Sequence, residues 1–403
     1  MSELAYLVFD GLTAPVVLRD CPEIVETISG VMPGWHFEVL PASAEPPFIA
    51  ISRLADASLN VSLANGPAKR LNTLNAVCEL IACMAQELLR SQPYLLCLHA
   101  AAVEISGRLV VFPSTGRAGK STLMACLAAR GLRVFTDDYL PLESADDGSL
   151  VGRATGVQTR LRLPVPPEFT PELRAQLEAR FSAANSQYVF LRAARPVPHG
   201  AASPVGAIVF LERAATAETK LLPAKSDETI DRLLKQNFAR GMHSADILSA
   251  LDAIARTALL FHLQYASAES AAELLENAFG ALGSAPVPQF ALRARPVEVL
   301  GTKPIAARAE PSARYAQAAG LSQVTSDRQC YLTDPQGVAV HRLNEGAMAV
   351  WELLEEAMSA NDIADLLHDR FPATPRESIR GDTLVLLDEF LRNRLIVPAS
   401  DCP

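Results

Sequence analysis

The sequence predicts an α/β core built around a phosphate-binding loop, with an N-terminal α+β region before it and a winged-helix-like α+β unit after it. Three observations predict this. An apolar strand at 109–112 runs into a loop containing Gly116, Gly119 and Lys120 and then a helical stretch to about 129. Prolines 286, 288, 296, 304 and 311 punctuate a stretch of scattered Ala and Arg, which reads as a linker. Beyond it, three helix-period segments end in an apolar run at 395–397. The expected division is 1–95 for the N-terminal region, 96–283 for the core, 284–312 for the linker and 313–403 for the last unit.

The bulk composition agrees with folded domains. Of 403 residues, 49% are hydrophobic and 20% charged, enough apolar material for real cores. The formal charge of −9 argues against a broad nucleic-acid surface, which needs clustered Lys and Arg. The seven cysteines form no CxxC pair, and several lie in apolar runs such as Leu96-Cys97-Leu98. Free buried thiols in a reducing compartment follow. No basic stretch leads into an apolar run at the N-terminus, and no apolar stretch is long enough to span a bilayer. A cytoplasmic protein without a membrane partner is expected.

In chain order, residues 6–9, 37–40 and 48–51 read as strands, and 71–89 as a helix with Leu74, Val77, Cys78, Ile81 and Met84 at helical spacing. Strands at 97–103 and 109–112 meet at Ser106-Gly107. A helix spans about 120–129, Gly131 suits a left-handed stop, and 132–135 is the next strand. That strand–helix–strand unit predicts a partly parallel sheet. Further on come a strand at 205–211 and helices near 226–238 and 245–261. In the last unit, 331–338 reads as strand and turn. A helix then bears Ala347, Val350, Trp351 and Leu354; a second begins at Ser359–Asp362; a third covers about 375–393.

The sharpest motif is Pro113-Ser114-Thr115-Gly116-Arg117-Ala118-Gly119-Lys120-Ser121-Thr122. Backbone N–H groups in such a loop turn toward phosphate oxygens, and the helix start adds partial positive charge. Residues 114–122 are therefore the candidate ATP contacts. Lys120 supplies charge for the β and γ phosphates, and the Ser121 hydroxyl can hold Mg²⁺. Ser114 stands where the pattern has Gly, which works if that position needs no positive φ. Asp137 and Asp138 follow one helix and one strand later, placed to meet a metal and an attacking group. A metal would let both stay ionised; otherwise one rises in pKa and serves as base. His99 lies in an apolar strand, where a histidine is more often a core residue than a catalytic one.

His99, the loop ending in Gly119-Lys120-Ser121, and Asp137-Asp138 stand in the order and at separations compatible with HPr kinase and its relatives, which this part of the chain resembles. The specific motifs lie in 97–139, within a similarity of about 1–283. The resemblance implies an HPr kinase-like P-loop kinase core using ATP and Mg²⁺. It implies Asp137 as general base for a seryl hydroxyl, His99 beside it modulating its charge, and Ser121 with Asp138 at the metal. It also makes self-association an expectation. The family's Glu-containing signature, tied to reverse phosphorylase activity, has no Glu in the comparable stretch 156–162, so neither that activity nor HPr as substrate is expected. Arg160 and Arg162 there suit either a phosphate contact or a solvated strand face.

In the last unit, Leu343-Asn344-Glu345-Gly346-Ala347-Met348-Ala349-Val350-Trp351-Glu352-Leu353-Leu354 resembles the PqqD family, over nearly all of 328–398. That resemblance implies a partner: the leader of a ribosomally made precursor peptide, added as a strand to a sheet edge beside a helix. The expected whole is a Ser/Thr kinase acting on a tethered precursor peptide. Two other classes stay open, a nucleotide-binding adaptor that delivers peptide without phosphate transfer, and a DNA-associated winged-helix regulator. Mixed charge on 375–394 weakens the last.

Overall fold

The computed structural model describes residues 4–63, 66–92, 96–113, 118–239, 241–290, 297, 308–326 and 329–399. The chain divides into two compact units, residues 1–241 with 253–292 and residues 242–252 with 293–403.

The first unit opens with a six-stranded sheet in the order Phe37–Leu40, Leu4–Phe9, Val16–Arg19, Ile49–Arg53, Leu59–Leu63, Lys69–Leu71. Helices Glu23–Val31 and Thr73–Ser91 pack on it. The second starts where the Asn72 side chain accepts the Asn75 N–H at 2.9 Å, a capping bond worth about 1 kcal/mol. Trp35 from this layer stacks on His199 with ring centroids 3.7 Å apart.

The second layer of this unit is a nine-stranded sheet. Its main path runs Arg133–Thr136, Ala100–Ile105, Arg108–Pro113, Ala202–Arg213, Leu150–Arg153, Leu140–Ser144, Leu96–Leu98. Leu259–Tyr265 lies parallel to Ala202–Arg213, and Lys220–Pro223 pairs with it antiparallel. Ala101, Val103, Val110 and Phe112 alternate onto the face that meets Leu123, Met124 and Leu127 of helix Lys120–Ala129. Buried residues run without interruption over 205–211, as expected of a central strand covered on both faces.

The parallel pairing is not where the strand–helix–strand reading puts it. Ser106 and Gly107 take φ of 51° and 75°, the two positive values of a type I′ turn. That turn closes Ala100–Ile105 against Arg108–Pro113 as an antiparallel hairpin. The strand after the helix must then add outside it, so Arg133–Thr136 pairs antiparallel with Ala100–Ile105. The adjacent parallel partners are Arg108–Pro113 with Ala202–Arg213, and the latter with Leu259–Tyr265. The helix expected over 245–261 also changes: helix Ser244–Thr257 stops and 259–265 is a strand. Its apolar run fits either state, and the open side of the central strand decides for strand.

The second unit carries an antiparallel sheet of Ser322–Ser326, Gln329–Thr333 and Val340–Leu343. A small sheet joins Met358–Ser359, Arg314–Gln317 and Ile396–Pro398. Helices Glu345–Leu353, Ala360–Arg370 and Arg376–Arg392 enclose Trp351, which meets Phe390 edge-on at 5.6 Å and donates through Nε1 to Gln323 Oε1 at 3.0 Å. Ser359 and Asp362 cap the second helix reciprocally. The expected linker begins with ordered contacts in the first unit: Leu150 N donates to Pro288 O, and Phe290 N to Gly148 O at 2.7 Å. The first residues of helix Ser244–Thr257, which the sequence places wholly in the core, group with the second unit.

Candidate functional site

A cleft of about 300 Å³ in the first unit is lined by His99, Ala118, Gly119, Lys120, Ser121, Thr122, Asp137, Asp138, Arg160, Arg162 and Arg213. The described candidates from three separated stretches of sequence thus meet in one place. Ser114, Thr115, Gly116 and Arg117 lie outside the described residues.

Helix Lys120–Ala129 begins at the cleft. Its N-cap, Gly119, has φ +89°, and no side chain caps the first turn. Lys120 and Ser121 therefore leave the helix start on adjacent positions. Lys120 is only 8% exposed. Burial pushes its ammonium pKa down, while Asp138 and Asp137 oppose the shift. At the far end Gly131, φ +86°, stops the helix as expected, with Leu132 N bonded to Leu127 O.

Asp137 and Asp138 follow strand Arg133–Thr136 directly. Asp137 keeps some accessible surface, yet protein surrounds its carboxyl closely. Burial raises its pKa to about 6 against the Arg160 N–H bond, with Asp138 adding to the rise. Its Oδ2 accepts that N–H at 2.8 Å. A carboxyl near 6 holds a proton firmly enough to accept one during reaction, and is still largely ionised at neutral pH. Asp138 is more open, its side chain 49% exposed, and its N–H donates to Thr136 Oγ1.

His99 sits at a break between strands Leu96–Leu98 and Ala100–Ile105, not inside a strand. The two strands stand far apart in the sheet order, and His99 between them lines the cleft. Its main chain is held by segment 236–238: His99 N donates to Gln236 O, and Phe238 N to Cys97 O, both at 2.9 Å. Nδ1 lies 3.6 Å from Asp138 Oδ1. The carboxylate it meets at this distance is thus Asp138, where the family resemblance implied Asp137. Burial and Lys120 push the imidazole pKa down, Asp138 pulling it up.

Three cationic residues complete the cleft. Arg160, whose main chain holds Asp137, rests its guanidinium 5.0 Å from the Tyr188 ring centre. Arg162, two residues on, is exposed at the rim. Arg213 ends the central strand and pairs with Glu168. Arg213 and Tyr265 were not legible as site residues. Arg213 lies just past the strand that the sequence gives at 205–211, and Tyr265 just past the helix that it gives near 245–261.

Ser121 and Asp138 both line the cleft and carry hard oxygen donors. With phosphate oxygens and water, such a pair fits the usual sparse protein coordination of Mg²⁺. Among the described residues, no cluster of three or more His, Cys, Asp and Glu could form a metal centre by itself.

Residues 329–396 match the family model described as Coenzyme PQQ synthesis protein D (PqqD). The C-terminal unit thus carries a PqqD domain, as its sequence predicts. Among solved structures, the chain is similar to that described as "TbiB1 in Complex with the TbiA(beta) Leader Peptide", at 17% identity over 22% of this chain and 99% of that one, TM-score 0.19. It is also similar to the Hpr(Ser) kinase/phosphatase from Coxiella burnetii, at 12% identity over 46% of this chain and 92% of that one, TM-score 0.20. No curated protein matches the chain. Among the described residues, no helix is long and apolar enough to cross a membrane.

Proposed function

We propose that this chain transfers the γ-phosphoryl group of ATP to a Ser or Thr hydroxyl of a precursor peptide captured by its PqqD domain. The observation that carries the reading is the meeting of Lys120, Ser121, Asp137, Asp138 and His99 around one cleft. Lys120 and the helix start bind the phosphates and stabilise charge on the transferring group. Mg²⁺, held by Ser121 and Asp138, would neutralise phosphate charge. The acceptor oxygen attacks the γ-phosphorus, the bond to the bridging oxygen breaks, ADP leaves, and Asp137 takes the hydroxyl proton. The Arg160 N–H keeps one Asp137 oxygen in place, leaving the other for the acceptor.

A PqqD domain supplies the peptide. Strand Val340–Leu343 has a sheet partner on one side, Gln329–Thr333. His341 on it lies within the electrostatic reach of Glu389 on helix Arg376–Arg392. An added strand here would bond to the edge and lie against the helix. Binding of a synthetic leader from a cognate precursor peptide should slow amide exchange at residues 340–343. Unchanged exchange there with leader bound would move the edge elsewhere. The proposed setting is the cytoplasm, which supplies ATP and keeps the free cysteines reduced.

The direct test is mass spectrometry of that precursor after incubation with Mg·ATP. A gain of one phosphate on Ser or Thr supports the reading; binding of both ligands with no phosphate transferred supports an adaptor instead.

The contact between His99 and Asp138 favours a second assignment, with Asp138 as base and Asp137 as its buried neighbour. His99→Ala separates the two. With Asp137 as base, transfer should fall about tenfold, through altered charge and orientation of Asp138. A loss as large as that of removing the base itself would give the proton to the His99–Asp138 pair. Initial rates of phosphopeptide formation decide it.

A further inference from the structure

Tyr265 closes strand Leu259–Tyr265 and is fully buried. Its main chain is fixed on both sides: it lies in register with Arg213 of the central strand, and helix Ala268–Ala278 starts three residues on. Its hydroxyl is the one polar atom of a ring set among apolar side chains. That hydroxyl donates to Ala118 O at 3.1 Å. Burial raises its pKa to about 12, so it keeps its proton across the working range. The same oxygen blocks the next residue from carrying a side chain. A Cβ on Gly119 would lie 2.4 Å from it, and φ at Gly119 is already +89°. One hydroxyl thus holds the last carbonyl before the left-handed residue and occupies the space beside that residue.

We propose that Tyr265 is a positioning residue, latching the Ala118-Gly119 turn so that Lys120 and Ser121 enter the cleft in a fixed direction. It touches no phosphate and acts through the turn. The peptide carbonyl it holds directly precedes Gly119, the N-cap of helix Lys120–Ala129. Released, that carbonyl has no other described partner to hold it, and the first helical turn frays, since no side chain caps it. Gly119 is then required for two reasons, its φ and the Tyr265 oxygen. The assignment of the latch rests on geometry alone; its consequence for nucleotide rests on the kinase reading above.

Tyr265→Phe removes the hydroxyl and keeps the ring. In the full-length protein without nucleotide, amides of 118–123 should exchange several-fold faster, while helix Ser226–Gln236 stays unchanged. Unchanged exchange at 118–123 overturns the latch, whatever nucleotide does. A fluorescent ATP analogue with Mg²⁺ should bind about threefold to tenfold more weakly, the worth of one hydrogen bond. Labelling of Lys120 by an ATP acyl phosphate should fall further than binding, because direction and not only affinity is lost. Labelling that falls only in step with binding would reduce Tyr265 to a packing residue and overturn the positioning role. Gly119→Ala gives an independent check. Its loss of binding should be smaller when combined with Tyr265→Phe than alone, because the blocking oxygen is gone; strictly additive losses overturn the double role of the hydroxyl. A wild-type protein that binds no ATP analogue, together with faster exchange in Tyr265→Phe, would sink the kinase reading and leave the latch standing.

Discussion

Lys120→Ala is expected to lower phosphate transfer to the precursor peptide by about 10³-fold, at unchanged leader affinity. Removing one preorganised charge from a developing phosphoryl transition state costs about that much. The residue is 8% exposed, and burial already disfavours its charged form, so losing the charge does not unfold the chain. Part of the stem is buried as well. Lys120→Met keeps that stem and should lose transfer equally with a smaller change in melting temperature. Quantitative mass spectrometry of phosphopeptide and a thermal melt of each variant provide the check. A well-folded Lys120→Met protein that turns over normally removes this lysine from the mechanism and with it the phosphate-loop reading.

Asp137→Asn is expected to lower transfer by about 10²–10⁴-fold while Mg·ATP binding changes little, because a base acts in the chemical step. The buried carboxyl also predicts two pH dependences. A base with pKa about 6 loses its function as pH falls through 6, so the wild-type rate should drop on the acid side and level off above about pH 7. Stability moves the other way. A carboxyl whose pKa rises from 3.8 unfolded to about 6 folded favours the fold when protonated. That stability is fully present below about 3.8 and is lost as pH rises to 6. Asp137→Asn removes the cost of the buried charge while its side-chain oxygen can still accept from Arg160 N–H. The variant should therefore melt higher than wild type at pH 8, by on the order of 5 °C, and the gain should vanish near pH 3.5. A rate loss with no stability gain at pH 8 would mean Asp137 is not buried as charge. If Asp138→Asn carries the larger loss in kcat, the two roles exchange.

Much of the candidate site is legible in the chain because its residues fall in short local patterns. Gly119-Lys120-Ser121 leads into a helix after an apolar strand, and Asp137-Asp138 directly follows the next strand, as short-range patterns suggest. The PqqD domain is equally plain, since Leu343-Asn344 and the helix with Val350 and Trp351 carry cap and core in one short run. Periodicity also defines helix Thr73–Ser91 and the stop at Gly131, both of which need only neighbouring residues.

What the tertiary structure alone decided was pairing. The type I′ turn at Ser106-Gly107 sent Arg133–Thr136 to the outside of a hairpin, a choice of strand order that no single segment contains. The run 259–265 is apolar enough for either state, and became a strand because the central strand had an open edge to offer. That choice carried Tyr265 to the Ala118 carbonyl, 147 residues away in sequence. The break at His99 has the same origin, since its two flanking strands pair with different neighbours and the backbone must bend between them. So does the bond from Arg160 N to Asp137, which fixes the candidate base across 23 residues. Residue types and short spacings state which chemistry is available. Sheet order and register, set by long-range hydrogen bonds and burial, decide which of those groups meet.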